Sequence, residues 1–292
     1  MLLGISIGGF FALAGATVVR LVTIEAMGKG MSIVFMGLSA GLVVAPALAT
    51  LIGEAFGWRT AFMAAACGLL ALLMQAVCLP HVPATSATSL ASLFGLSKRR
   101  PVRSGLVAGL LFFGGEVSGF TFMRPYLETN GGLSATSIAP VLLVLGLASL
   151  LGSAVAGVLA DRVLRVGFGA TFLLLAIAAV GLLALSDLYL SIFVFAAIWG
   201  IAVGAGPVMT QTWMGRAAPD QLEGVGGLCL AVIQLGVTFG AIAGGIAVDV
   251  FGTSAPLYVT AVFTVLAAVP IAAQRSRGVD PRRLTSELVS SE

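Results

Sequence analysis

Apolar residues in this chain come in blocks rather than in stripes. Runs of about 20 residues with almost no charge alternate with short polar breaks, and about 20 helical residues are what a hydrocarbon core of about 30 Å requires. The blocks cover 2–22, 31–53, 60–80, 104–126, 138–160, 167–186, 190–211, 225–247 and 254–273. The polar–apolar alternation of an outer-membrane barrel strand is missing from them. A bilayer offers the backbone no water to bond with, so each block is expected to be a helix. The pattern predicts an all-α integral membrane protein of about nine transmembrane helices. Most breaks are short. The long one, 81–103, is polar and basic and reads as a cytoplasmic linker between a three-span bundle over 1–80 and a six-helix bundle over 104–273. A polar tail, 274–292, follows.

Composition excludes the soluble alternative. Of 292 residues, 59% are hydrophobic and 9% are charged, against about a quarter charged in soluble domains. The net charge is only +3, but its placement carries a direction. With 81–103 in the cytoplasm, one side of the membrane holds Arg20, Lys29, Lys98, Arg99, Arg100, Arg103, Arg162, Arg165, Arg216, Arg275, Arg277, Arg282 and Arg283, and the other holds Arg59 and Arg124. That asymmetry is the positive-inside pattern. It requires every span to alternate, puts the C-terminus in the cytoplasm, and suits a bacterial inner membrane. One histidine, His81, and three scattered cysteines without a CxxC make a metal site an unlikely use of the chain.

An internal repeat follows from comparing two segments. Residues 41–57 read GLVVAPALATLIGEAFG and residues 236–252 read GVTFGAIAGGIAVDVFG. Gly41 aligns with Gly236, Glu54 with Asp249, Phe56 with Phe251 and Gly57 with Gly252, at a constant offset of 195. Each is a small-residue helix that ends in acid-x-Phe-Gly. The segments are the second and eighth spans, so the repeat unit holds six helices, as internal symmetry in transporters often does. On this reading the first unit would start roughly 90 residues before Met1, with only its last three helices in this chain.

The residues 157–165 read Gly-Val-Leu-Ala-Asp-Arg-Val-Leu-Arg. This resembles the G-x-L-a-D-R-x-x-R loop signature of the major facilitator superfamily. The stretch 41–59, ending in Gly57-Trp58-Arg59, is similar to the antiporter motif of that family's fifth helix. It carries Ala45-Pro46 in place of Gly-Pro and Ala49-Thr50 in place of a Gly pair. The opening LLGISIGGFFAL and the segment AVIQLGVTFGAIAGG resemble the family's drug and nucleoside efflux branch. The resemblance implies a partial twelve-helix fold: the last three helices of the N-terminal bundle and a complete C-terminal bundle. It also implies secondary transport by alternating access, with a small organic solute, nucleoside-like or a drug, exported in exchange for protons.

Glu116 is the one charge near the middle of a span. Insertion of a carboxylate there costs about 2.5–3.5 kcal/mol, which suits a group that takes up and releases protons or bonds a polar substrate; a neutral carboxyl satisfied inside the bundle is the structural alternative. Arg124, at the outer end of the same helix, either snorkels to the interface or guards the outer mouth. Pro125 is expected to kink or end that helix. Asp161, Arg162 and Arg165 form a candidate gate latch: the acid can hold the end of a neighbouring helix, and the arginines can pair with acids or lipid phosphates. Gly157 would allow two helices to approach closely, and Gly37/Gly41, Pro46, Gly57 and Gly236/Gly240/Gly244 form helix-packing ridges or antiporter-like positions. Trp199 and Phe120 could offer aromatic faces, and Gln211 and Gln234 amides, to a nucleoside-like solute; packing alone explains them equally.

No Walker loop, H-E-x-x-H or G-x-S-x-G is present, and no cofactor or nucleic-acid partner is expected. The expected partners are a small-molecule substrate, protons and the lipid bilayer, with the chain a monomer. A polytopic membrane enzyme would need clustered acids, His or Ser at the interface, which the loops do not offer. A non-transporting fragment or remnant of a transporter is the other alternative.

Overall fold

The structure, a computed structural model, describes residues 26–57, 59–60 and 90–274, together with Val18 and Met63. These form seven helices: α1 (Met27–Phe56), α2 (Leu90–Ser97), α3 (Arg100–Thr129), α4 (Ala135–Leu185), α5 (Tyr189–Ala217), α6 (Leu222–Phe251) and α7 (Ala255–Ala272). A single 3-10 turn, Pro219–Gln221, joins α5 to α6. No strand occurs among the described residues. The spans expected over 2–22 and 60–80 lie outside them, apart from Val18, Thr60 and Met63.

Local chemistry sets the helix ends. Pro101 sits in the first turn of α3, where its missing N–H costs no hydrogen bond. Ser134 caps α4, its hydroxyl accepting from the Ser137 N–H at 3.3 Å. α1 and α6 both end on a phenylalanine, and the glycine that follows has φ +86° at Gly57 and φ +87° at Gly252. Only glycine enters that region freely. The acid-x-Phe-Gly repeat in the sequence is thus a repeated helix ending.

Among the described residues, five helices are long and apolar enough to cross a membrane, covering Arg100–Thr129, Thr136–Leu185, Tyr189–Ala217, Gly224–Phe251 and Ala255–Ala272. At 1.5 Å per residue α4 would be about 77 Å long, more than twice a hydrocarbon core. Val163 breaks it: its φ of −141° and ψ of 49° are not helical. The two arms on either side coincide with the segments expected at 138–160 and 167–186. The basic linker differs from expectation. Residues 90–97 are helical and 100–103 are the first turn of α3. The reason is Leu96, which is buried with Val102, Met214, Ala218, Val225 and Cys229 in a small core under the bundle. Pro125 does not end α3, which runs on to Thr129. Proline there removes one backbone bond near the helix end, and the Tyr126 hydroxyl holds the last turn by donating to the Leu182 carbonyl at 3.0 Å.

α5 lies between the two arms of α4. Against the first arm the backbones touch: a Cβ on Gly200 would strike the Leu145 carbonyl, and one on Gly204 the Ser149 carbonyl. Ser153 donates to the Gly204 carbonyl at 3.0 Å. Against the second arm, Phe168 and Phe172 stack at 4.6 Å and reach Trp213 and Phe112. α6 rests on α3, and α7 bonds it through the Thr260 hydroxyl, which donates to the Gly115 carbonyl at 2.7 Å. Some inside-facing hydroxyls bond their own helix, as Thr171 on Gly167 and Thr210 on Gly206 do. The outside is apolar instead of polar, with Leu151, Val155, Ile177, Ile242, Ile246 and Val265 exposed. A surface of this kind is solvated by lipid chains.

Gly204→Ala therefore introduces a methyl group where a carbonyl already sits. The expected result is a loss of about 1–3 kcal/mol, the usual overpacking cost, read as a lower midpoint of thermal unfolding in detergent.

Candidate functional site

The break at Val163 turns residues 157–165 into the hub of one end of the bundle. The first arm of α4 ends beside the N-terminus of α1, where helix N–H groups have no partner of their own. The Asp161 carboxylate accepts both of the nearest ones, from Gly28 at 2.8 Å and from Lys29 at 3.2 Å. Negative charge is also favoured there by the helix dipole. Arg216, in the last turn of α5, reaches the same carboxylate at 3.3 Å. Asp161 is largely buried and Arg216 partly so, which makes this contact stronger than an exposed pair. One carboxylate thus joins α1, α4 and α5.

The close approach depends on two glycines. A Cβ on Gly28 would lie 2.6 Å from Asp161 Oδ1 and 2.7 Å from the Gly157 carbonyl. A Cβ on Gly157 would collide with the Ser32 side chain. Arg165 does the converse of Asp161: its guanidinium donates at 2.6 Å to the carbonyl of Ala272, the last residue of α7. A cation on a helix C-terminus and an anion on a helix N-terminus both oppose the local dipole. Arg162 is exposed. A cavity of about 240 Å³ lies beside this loop, lined by Leu164, Arg165, Trp213, Arg216 and Gln274 among others.

Near the middle of α3, Glu116 is half-buried with Phe120 one turn beyond it, 45% exposed. Residues four apart share a helix face, so the carboxyl and the aromatic ring lie along one stripe. The opposite side of α3 is taken up by α6. Gly236 and Gly240 approach the backbone at Leu110 and Gly114, and Gly244 approaches Ser118 and Phe122. Gln211 is buried in α5, whereas Gln234 lies on the exposed face of α6. Trp199 has no exposed surface. Its ring fills the space over Gly119, so it presents no face for stacking. Arg124 pairs at 2.9 Å with Glu128, one turn on, and both are exposed.

Gly37 and Gly41 meet nothing within 4 Å among the described residues. They lie on the side of α1 opposite Ser32 and Ser39, which face α4; Ser39 bonds Ser153 at 3.4 Å. Pro46 lies within α1. Three participants escaped the sequence reading. Arg216 looked like one more positive loop residue; its place in the last turn of an apolar helix, facing an acid of another loop, was the available signal. Gly28 and the Gly200/Gly204 pair carried only small-residue spacing, which occurs throughout this glycine-rich chain. A second ion pair at this end, Arg99 with Asp220 at 2.7 and 2.8 Å, ties the α2–α3 turn to the α5–α6 connection.

The sequence profile of the Major Facilitator Superfamily matches residues 1–176 and 106–287. The purine ribonucleoside efflux pumps NepI of Salmonella enteritidis and Salmonella gallinarum are each 34% identical to this chain over 273 residues, 93% of this chain and 69% of the relative. NepI of Salmonella paratyphi C is 33% identical over the same length.

The hydrogen bonds from Arg99 hold the Asp220 carboxyl below its ordinary range. The stabilisation this pair gives is complete above roughly pH 4 and is lost as the pH falls through the lowered value. Thermal midpoints of the protein and of Asp220→Asn should differ slightly at neutral pH and converge in acid. High salt should shrink the neutral-pH difference, because both groups are exposed.

Proposed function

The chain belongs to the Major Facilitator Superfamily and is a membrane-embedded, multi-pass transporter; from that premise we propose that it exports a purine-nucleoside-like solute by alternating access, driven by protons. The observation that supports this reading best is the Asp161 contact with Gly28, Lys29 and Arg216. α1 falls in the N-terminal bundle of the proposed arrangement, and α4 and α5 in the C-terminal one. A few charge-assisted bonds at the end of this boundary, about 1.5–3 kcal/mol each, are strong enough to close it and weak enough to reopen. A solvated loop would have no need of them.

The substrate would lie between the bundles near the midplane, as in transporters built from repeats. On α3, Glu116 and Phe120 share one stripe at that depth, and they are the proposed contact for a solute with an aromatic base and hydrogen-bonding edges. None of the described residues bonds or pairs with the Glu116 side chain, and we assign it the exchange of a proton or the binding of the solute. Arg124, engaged with Glu128 on its own helix, has its charge balanced locally and is assigned no direct part.

Two substitutions separate coupling from gating. In inside-out vesicles with an imposed proton gradient, Glu116→Gln should abolish the gradient's acceleration of labelled purine ribonucleoside uptake while leaving downhill exchange. Unchanged gradient-driven uptake removes Glu116 from the coupling. Asp161→Asn should keep substrate binding but slow transport by about one order of magnitude or more, the loss expected for one charge-assisted contact. A normal rate in that variant removes the latch.

A further inference from the structure

We propose that α2 and the basic turn after it form a docking face for an anionic lipid surface, fixed to the end of the bundle where Asp161 sits. α2 is only eight residues long and its two sides differ. Leu96 is buried and Leu93 packs beside it against the core under α3, α5 and α6. Phe94 projects from the other side with 72% of its surface exposed, next to exposed Gly95. An aromatic ring held out from a short, well-anchored helix is suited to the headgroup–acyl boundary, where one side of the residue meets chains and the other meets water.

The charges beside Phe94 give the lipid its sign. Lys98, Arg99, Arg100 and Arg103 are all exposed. Arg99 is consumed by its two bonds to Asp220. None of the described residues pairs with the side chains of Lys98, Arg100 or Arg103. Asp161, at the same end of the bundle, is taken by α1 and Arg216. Three cations without a partner among the described residues thus stand within one helical turn of the α3 span, on a turn that the Arg99–Asp220 clamp holds in place. Basic clusters at such a position attract anionic headgroups, each Lys or Arg adding about a fivefold preference near the surface. An acidic protein would satisfy the cations equally, but it would not use an aromatic ring at membrane height; the lipid surface accounts for both.

The test is a tryptophan reporter. Phe94→Trp protein is reconstituted into vesicles of phosphatidylcholine, or of phosphatidylcholine mixed with phosphatidylglycerol, with brominated acyl chains as quencher. The signal of the parent protein, which has Trp58, Trp199 and Trp213, is subtracted. The reporter should be quenched several-fold more in the anionic vesicles. Replacing Lys98, Arg100 and Arg103 together by Gln should remove that difference, and the charge-keeping set Lys98→Arg, Arg100→Lys and Arg103→Lys should preserve it. Equal quenching in both lipids, or a difference that survives loss of the three charges, overturns the proposal. So does a reporter that neither lipid quenches, which would point to a protein partner on this face.

Discussion

A hydrocarbon core cannot solvate charge, and the rest of this structure follows from that. The described acids and bases sit at helix ends, with Glu116 the one carboxylate deep in a span. Asp161 shows how the constraint is met. Its carboxylate is taken out of water, and the N–H groups of Gly28 and Lys29 together with Arg216 replace the lost hydration. The same constraint explains the inverted surface, where leucine and valine face outward, and the hydroxyls of Thr171 and Thr210, which turn back onto their own helices.

Close backbone contact is the other half of the design. Lipid chains are as apolar as leucine, so apolar burial gives helices little reason to associate, and packing must come from fit. Gly200 and Gly204 bring α5 against the carbonyls of α4, and Gly236 and Gly240 bring α6 against α3. Gly28 and Gly157 do the same across α1 and α4, where Ser39 also meets Ser153 farther along the pair. What sets this boundary apart is the charge at its end, where the Asp161 carboxylate takes the N–H groups of Gly28 and Lys29 together with Arg216.

Much of this was legible in the sequence because it rests on one-dimensional pattern. Six of the apolar blocks coincide with α3, the two arms of α4, α5, α6 and α7, since block length is dictated by membrane thickness. The repeat was legible as well: acid-x-Phe-Gly marks a glycine-terminated helix in both copies, with φ values one degree apart. Asp161 could be matched with a helix end because an acid after a glycine-containing turn has few other uses at a membrane surface. Which helix end it would hold, and that Arg216 would join it, depends on how helices distant in sequence are arranged, and no local pattern records that. The faces of Gly37 and Gly41 failed to show for the same reason, as did the buried place of Trp199. Leu96 was hidden differently: a single leucine anchors a helix inside a stretch whose composition reads as linker.

The central claim is that α1 and the α4 hub are joined at Asp161 by a contact that opens. Distances between spin labels at Ile33 on α1 and Val166 just past the Val163 break, both exposed, measured by pulsed electron resonance in nanodiscs, test it most directly. The account predicts a short distance and a longer one in exchange, with Asp161→Asn shifting the population towards the longer. A single distance, the same in the protein and in the variant, would contradict it.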